Sequence, residues 1–312
     1  MRWPVHTDRQ PLLGKALQGN ATIGLVAPAG PVRDKESYER GISILQDLGY
    51  KVLESTAIDM PCPDYLAAGD AARACQFNTM WANPQVDALM AVRGGYGSLR
   101  MADLLDLSLI ALHPKPFIGF SDITMLHSII GSETGLVTFH GPVLTSLAKL
   151  DAKSISHLHT VLSGNLLHSL PWKDPVILRG GEATGELQGG NLTTLTHLMG
   201  TPFEPDWQDA ILFLEDVSEA PYRLDRMLTQ LQLAGKLKGL KGLLLGSFTD
   251  CGDLSIVWER ALQITEEMNI PLWGNFPVGH GSRNLAVPLG IDVKLSSADN
   301  TLIFNKPCLQ QS

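Results

Sequence analysis

The sequence predicts an α/β protein in which a parallel sheet with helices on both faces is followed by a second, β-rich α/β unit. Three observations carry this. Short apolar runs of strand length alternate with segments of helical spacing through the first half of the chain. Those runs close on glycine, proline or polar residues, as strand ends do. After residue 180 longer apolar strands appear, and the chain finishes on closely spaced β segments. Such alternation is the pattern of parallel sheets covered by helices.

The elements follow in order. Ala21–Ala27 is an apolar run closed by Pro28, Gly30 and Pro31, a buried strand and turn. Asp34 to Leu48 has helical spacing at Tyr38, Ile42, Leu45 and Leu48, and Gly49 is its stop. Lys51–Glu54 is the next strand and Ala68–Trp81 the second helix. Asp87–Val92 is a strand that ends in Arg93-Gly94-Gly95-Tyr96-Gly97. Ser98–Leu107 reads as a third helix, Pro116–Phe120 as a strand, and Asp122–Ile130 as a fourth helix. From Leu147 to Ile177 the pattern weakens to a helix and a connector. A new unit then opens near Gly180, with a glycine-rich turn at Gly189-Gly190-Asn191. It continues as strand Ile211–Glu215, helix Pro221–Ala234, strand Gly242–Phe248 and helix Leu254–Met268, and ends on Leu285–Lys294 and Thr301–Asn305. The boundaries are residues 1–150 for the first domain, 151–180 for a linker and 181–312 for the second domain. A chain of 312 residues, 44% hydrophobic, has ample core for two domains.

The net charge of −8 at pH 7 offers nothing to a polyanion as a whole, which argues against nucleic acid or an acidic membrane as partner. Cys62, Cys75, Cys251 and Cys308 form no CxxC and no ligand cluster with histidine. They read as free thiols in a reducing compartment. The start, MRWPVHTDRQPLLGKALQGN, lacks the apolar core of a secretory signal, and no later run could span a bilayer. A cytoplasmic location is the expectation.

The chemistry concentrates at strand ends. In Ile118-Gly119-Phe120-Ser121-Asp122 a strand stops and a helix starts at once. A serine there projects its hydroxyl off the sheet, and nearby N–H groups face a developing oxyanion. The glycine that would complete GxSxG is replaced by Ile123, and Ser121 could instead be a helix cap. A serine nucleophile needs a base and an acid to orient it. Of nine histidines, His280 stands between glycines in Val278-Gly279-His280-Gly281, which frees the backbone and removes bulk; a solvated turn histidine has the same look. His140, after a strand, is the other candidate base; His127, His157, His159, His168 and His197 read as packing or surface residues. Strand Leu212-Phe213-Leu214 runs into Glu215 and Asp216, which point to opposite sides, so at most one can serve as the acid. The turn Arg93–Gly97 could offer N–H groups to an oxyanion or a carboxylate, and lacks the Lys-Ser/Thr of a phosphate loop. Asn191 could cap a helix, and Arg223 or Arg226 could hold a substrate carboxylate or an internal ion pair.

Together these segments resemble the serine LD-carboxypeptidase (muramoyltetrapeptide carboxypeptidase) family. The resemblance is carried in order by AVRGGYGSLR at 91–100, GFSD at 119–122, TFHGP at 138–142, GGNL at 189–192, LFLEDVSEAPYRLDRML at 212–228, LGSF at 245–248 and VGHG at 278–281. The stretch before residue 20 departs from the pattern. The resemblance implies a Rossmann-like N-terminal domain, a β-rich C-terminal domain and a site between them. It further implies a cytoplasmic, homodimeric enzyme of cell-wall recycling that needs no metal or cofactor. Its substrate would be a murein tetrapeptide, cut at the L,D bond that releases terminal D-alanine. Ser121 would be the nucleophile, Glu215 the acid and His280 the base. Asp122 and the Gly94-Gly95 turn would supply the oxyanion N–H groups, with Asn191 in the substrate region. Competing readings are a microcin-immunity peptidase acting on a peptidyl-nucleotide amide, a non-catalytic muropeptide-binding protein, and a general esterase.

Overall fold

The computed structural model describes residues 10–55, 65–166, 168–170 and 172–311, and the chain in it divides into two units. The first runs to Leu166 and takes back Leu285–Pro288 and the residues from Cys308 onward; the second holds the intervening chain to Asn284 and Leu289–Pro307. The stretch expected to be a linker contains a helix at Ala152–Leu162 and a strand at Val176–Arg179.

In the first unit the order is β1 (Thr22–Val26), α1 (Lys35–Asp47), β2 (Lys51–Leu53), α2 (Asp70–Ala82), β3 (Ala88–Ala91), α3 (Leu107–Leu112), β4 (Phe117–Gly119), α4 (Thr124–Thr134), β5 (Thr138–His140) and α5 (Ala152–Leu162). Strands β1 to β5 are parallel and lie side by side in the order 2-1-3-4-5. This is a doubly wound sheet whose direction of winding reverses between β1 and β3. The later strand at Val287–Leu289 extends the sheet beside β5. His157 on α5 helps to hold that returning segment, its Nε2 lying 3.0 Å from the Ala286 carbonyl.

Acidic caps set the helix starts. Asp34 accepts the Ser37 N–H at 3.1 Å and opens α1; Asp151 accepts the Ser154 N–H at 2.7 Å and opens α5. The predicted third helix divides for the same reason. Ser98–Leu104 is a 3-10 segment, and Asp106 accepts the Leu109 N–H at 2.9 Å and starts α3 as a separate helix. The predicted fourth helix begins with a 3-10 turn at Ser121–Ile123 before continuing as α4. Phe77 and Trp81 on α2 pack on Phe117 of β4, with Phe77 and Phe117 rings edge-on at 5.3 Å. All three are fully buried. Burying each is worth about 1.5–3 kcal/mol and fixes the strand that leads to Ser121.

The second unit runs β6 (Val176–Arg179), β7 (Glu182–Asn191), α6 (Leu192–His197), β8 (Ala210–Val217), α7 (Pro221–Leu233), β9 (Gly242–Thr249), α8 (Leu254–Ile264), β10 (Leu272–Gly274), β12 (Asp292–Ser296) and β13 (Thr301–Phe304), with β11 the Val287–Leu289 strand that belongs to the first sheet. Strands β7 to β10 are parallel neighbours, and β12, β13 and β6 add antiparallel edges. The expected turn at Gly189-Gly190-Asn191 is instead the end of β7, because these residues pair with Phe213, Leu214 and Glu215 of β8. The last predicted strand, Leu285–Lys294, is two strands separated at Gly290. Both domains therefore have the predicted class: a Rossmann-like parallel sheet first, then a β-rich α/β sheet.

Cys75 is exposed and Cys251 and Cys308 are buried, all as free thiols; Cys62 lies outside the described residues, as do the first nine residues of the N-terminal stretch. Among the described residues no helix is long and apolar enough to cross a membrane.

Candidate active site

In the first unit the candidate residues gather at the carboxyl ends of β3 and β4. Ser121 has φ +66°, a left-handed conformation that a non-glycine residue adopts only when its surroundings impose it. It is the geometry of a serine lifted off a strand-to-helix turn. The alternative role as a cap is not what the chain does, since Phe120 occupies the cap position and no side chain caps the turn.

Gly94 explains how the next loop comes so near. A Cβ on Gly94 would stand 2.8 Å from Ser121 Cβ and 3.0 Å from its Oγ, closer than real Cβ contacts. Only glycine allows the turn after β3 to lie against the serine. Gly95, the next residue, is exposed.

Asp122 contributes more than its backbone N–H. It is buried, and its Oδ2 accepts the Ser98 N–H at 2.8 Å. The carboxylate thus ties the serine turn to the far end of the Arg93–Gly97 turn. His127, on α4, places Nε2 2.8 Å from the Gly119 carbonyl. Burial pushes its pKa down to about 4, so the ring is neutral and donates from Nε2. It packs against Phe117 and braces the strand end. His140 is the last residue of β5, fully buried with its ring 6.0 Å from that of Phe120. A ring sealed in the core is poorly placed to meet substrate.

In the second unit the candidates stand at the carboxyl ends of β7, β8, β9 and β10. Glu215 is completely buried, and its Oε2 accepts a hydrogen bond from His280 Nδ1 at 2.7 Å. His280 remains 17% exposed. Burial pushes the Glu215 pKa up, an effect the adjacent imidazole partly offsets. Burial alone would lower the His280 pKa, but the Glu215 carboxylate outweighs it and the net shift is upward. Asp216 faces the other way. Its Oδ1 accepts from Asn191 Nδ2 at 3.0 Å, and its Oδ2 from the Thr193 N–H at 2.9 Å and hydroxyl at 2.8 Å. Asn191 in turn caps α6 through the Thr194 N–H at 3.0 Å. The alternation of β8 therefore assigns Glu215 to the histidine and Asp216 to the start of α6.

Two positioning features were not foreseen. Opposite Glu215, β9 uses two residues, Gly246 and Ser247, between the Leu214–Leu245 and Asp216–Phe248 pairs, which is a β-bulge. The Ser247 N–H turns out of the ladder to the Val278 carbonyl at 3.0 Å, and Asn284 Oδ1 accepts the Gly279 N–H at 3.1 Å. Together they shape the loop that presents His280. Gly279 has φ +112°, and a Cβ there would lie 2.4 Å from Ser247 Oγ and 2.7 Å from Glu215 Oε2. The LGSF motif carried the signal for the bulge, though not its geometry. Arg223 pairs with Glu219 at 3.4 Å and Arg226 lies 5.3 Å from the centre of the Tyr222 ring, so both have internal partners. Among the described residues no group of three or more His, Cys, Asp or Glu side chains could hold a metal ion.

The chain is similar to known proteins along most of its length. Residues 23–141 match the LD-carboxypeptidase N-terminal domain and residues 184–295 the LD-carboxypeptidase C-terminal domain. A probable murein peptide carboxypeptidase of Bacillus subtilis is 37% identical over 301 residues, 93% of each chain. The microcin C7 self-immunity protein MccF of Escherichia coli is 29% identical, covering 91% of this chain and 93% of that protein. The crystal structure of a muramoyltetrapeptide carboxypeptidase from Oxalobacter formigenes aligns with a TM-score of 0.79 at 30% identity, over 92% of this chain and 100% of that one. With both domains matched in order and the likeness running along nearly its whole length, the chain belongs to the LD-carboxypeptidase family.

Proposed function

We propose that this protein is a serine carboxypeptidase that cuts the L,D peptide bond of murein tetrapeptides and releases terminal D-alanine, serving cell-wall recycling in the cytoplasm as a homodimer. Ser121 is the nucleophile, His280 the base and Glu215 the acid that fixes the imidazole. The observation that carries the reading is the 2.7 Å bond from His280 Nδ1 to a carboxylate with no solvent access. It holds one tautomer and leaves Nε2 to take a proton. The left-handed Ser121 at its turn and the relatives named for murein peptides support the same reading.

The steps follow from those roles. His280 Nε2 takes the Ser121 proton as Oγ attacks the carbonyl before the terminal D-residue. The oxyanion is met by the Asp122 N–H and the Gly94-Gly95 turn, at the amino end of the helical segment that becomes α4. The C–N bond breaks as His280 returns the proton to the amine of D-alanine. Water, deprotonated by His280, then hydrolyses the acyl-enzyme. Asn191 acts through Asp216 and the start of α6 to hold the end of β8. No step needs a metal or cofactor.

The likeness to MccF favours one second reading, cleavage of a peptidyl-nucleotide amide. A substrate panel separates them. Purified protein is given a murein tetrapeptide ending in D-alanine, an aminoacyl-nucleotide amide and a simple ester. Release of D-alanine from the first, well above turnover of the others, is expected. Preferential cleavage of the nucleotide amide would replace the murein reading, preferential ester hydrolysis would indicate a general esterase, and tetrapeptide binding with no cleavage would leave a binding protein.

A further inference from the structure

Arg93 stands where the sheet reverses its winding. It lies two residues beyond the end of β3, and β1 and β3 are the neighbours across the reversal. In open sheets of this kind ligands bind beyond the carboxyl ends of the strands at that point. The loops leaving β1 and β3 are joined there, the Gly30 N–H donating to the Gly94 carbonyl at 3.0 Å.

The guanidinium lies in a space kept open by missing side chains. Its Nη1 donates to the Pro31 carbonyl at 3.0 Å. A Cβ on Gly30 would sit 2.9 Å from Nη1, and one on Gly95 3.8 Å from it. The other N–H groups of Arg93 donate to no described residue. Nor does any described carboxylate pair with it, whereas Arg73, Arg100, Arg223 and Arg260 each have one. Burial and then the nearby charge of Arg33 both work against its positive form. A half-buried cation beside a second cation is a site that favours an anion.

The position relative to Ser121 indicates which anion. Arg93 is followed by Gly94, on which a Cβ would stand 2.8 Å from Ser121 Cβ and 3.0 Å from its Oγ. In a peptide whose last bond is attacked, the terminal carboxylate lies about one residue, ~3.8 Å between Cα atoms, beyond the attacked unit. We propose that Arg93 binds the α-carboxylate of the residue being released and so confines cleavage to the last bond of a peptide. This rests on the carboxypeptidase reading above. A guanidinium fork matches a carboxylate with two parallel hydrogen bonds, and Pro31 fixes the fork before substrate arrives.

The test uses Ser121→Ala, which retains Arg93 and does not turn peptide over. Its calorimetric affinity is measured for a tetrapeptide ending in D-alanine and for the same peptide ending in D-alaninamide, alone and combined with Arg93→Gln or Arg93→Lys. Charge-assisted hydrogen bonds predict that the acid binds roughly 10- to 100-fold more tightly than the amide. That preference falls to near unity with Arg93→Gln and returns in part with Arg93→Lys, while the unfolding temperature stays within a few degrees. A preference that survives Arg93→Gln, or equal binding of acid and amide with Arg93 in place, overturns the assignment even if wild type releases D-alanine. Wild type that neither binds nor cleaves the tetrapeptide overturns the carboxypeptidase reading itself.

Discussion

Asp122 and Ser98 are joined by a 2.8 Å hydrogen bond from the Ser98 backbone N–H to the Asp122 carboxylate. One side chain thereby couples the turn bearing Ser121 to the turn bearing Gly94 and Gly95. Replacing Asp122 with alanine strands a buried N–H and should cost about 1–3 kcal/mol of stability. Asp122→Asn keeps an acceptor oxygen and should lose less. Denaturant unfolding with D-alanine release on the same samples checks both, and kcat is expected to fall in the same order as stability.

Gly279 is held to glycine by Ser247 Oγ and Glu215 Oε2, which a Cβ would approach to 2.4 and 2.7 Å, and by its φ of +112°. In Gly279→Ala the loop must move and the Glu215–His280 bond must lengthen. A loss of roughly 10²-fold or more in kcat is expected with the fold retained, because catalysis depends on sub-ångström positioning. Unchanged kcat would show that the loop is not held as described.

The pH profile follows from the same pair. His280 must be unprotonated to act as a base, and its pKa lies above the ordinary 6.5 because Glu215 outweighs the burial that lowers it. Activity should therefore fall as pH drops through a midpoint above 6.5. Glu215→Gln removes the main charge opposing burial, leaves only the smaller effect of Asp216 against it, and should move that midpoint to lower pH while reducing kcat. A midpoint indifferent to Glu215→Gln would mean that another group titrates.

Arg73 is a buried clamp in the first unit, beside the loops that leave β1 and β3. It is 1% exposed, donates to the carbonyls of Pro28, Ala68 and Gly97, and pairs with Asp70. Arg73→Met takes this donor from the Pro28 and Ala68 carbonyls, while Gly97 keeps the Arg100 N–H at 3.1 Å, and should destabilise the protein by on the order of 3 kcal/mol. Denaturant melts compared with wild type read this directly.

Much of the fold was legible because strand and helix periods are local. Ile23, Leu25, Leu89 and Ile118 form apolar runs whatever they pack against, and Asp34 and Gly49 mark where α1 starts and stops. Local patterns misled where pairing decided. Gly189 and Gly190 look like a turn until β8 supplies ladder partners, and Ser98–Leu107 looks like one helix until Asp106 claims the Leu109 N–H. The site was half legible. The turn at Ser121 shows in the sequence, but the choice between Glu215 and Asp216 depends on which side of β8 meets a histidine 65 residues later. The bulge at Gly246-Ser247 arises from the register of two strands, which no single segment encodes.

The most direct measurement compares wild type and Ser121→Ala on a murein tetrapeptide ending in D-alanine, with free D-alanine followed by mass spectrometry. Release by wild type that falls by about 10⁶-fold in Ser121→Ala is predicted, as expected for loss of a nucleophile. Equal release by the two proteins would contradict the serine mechanism.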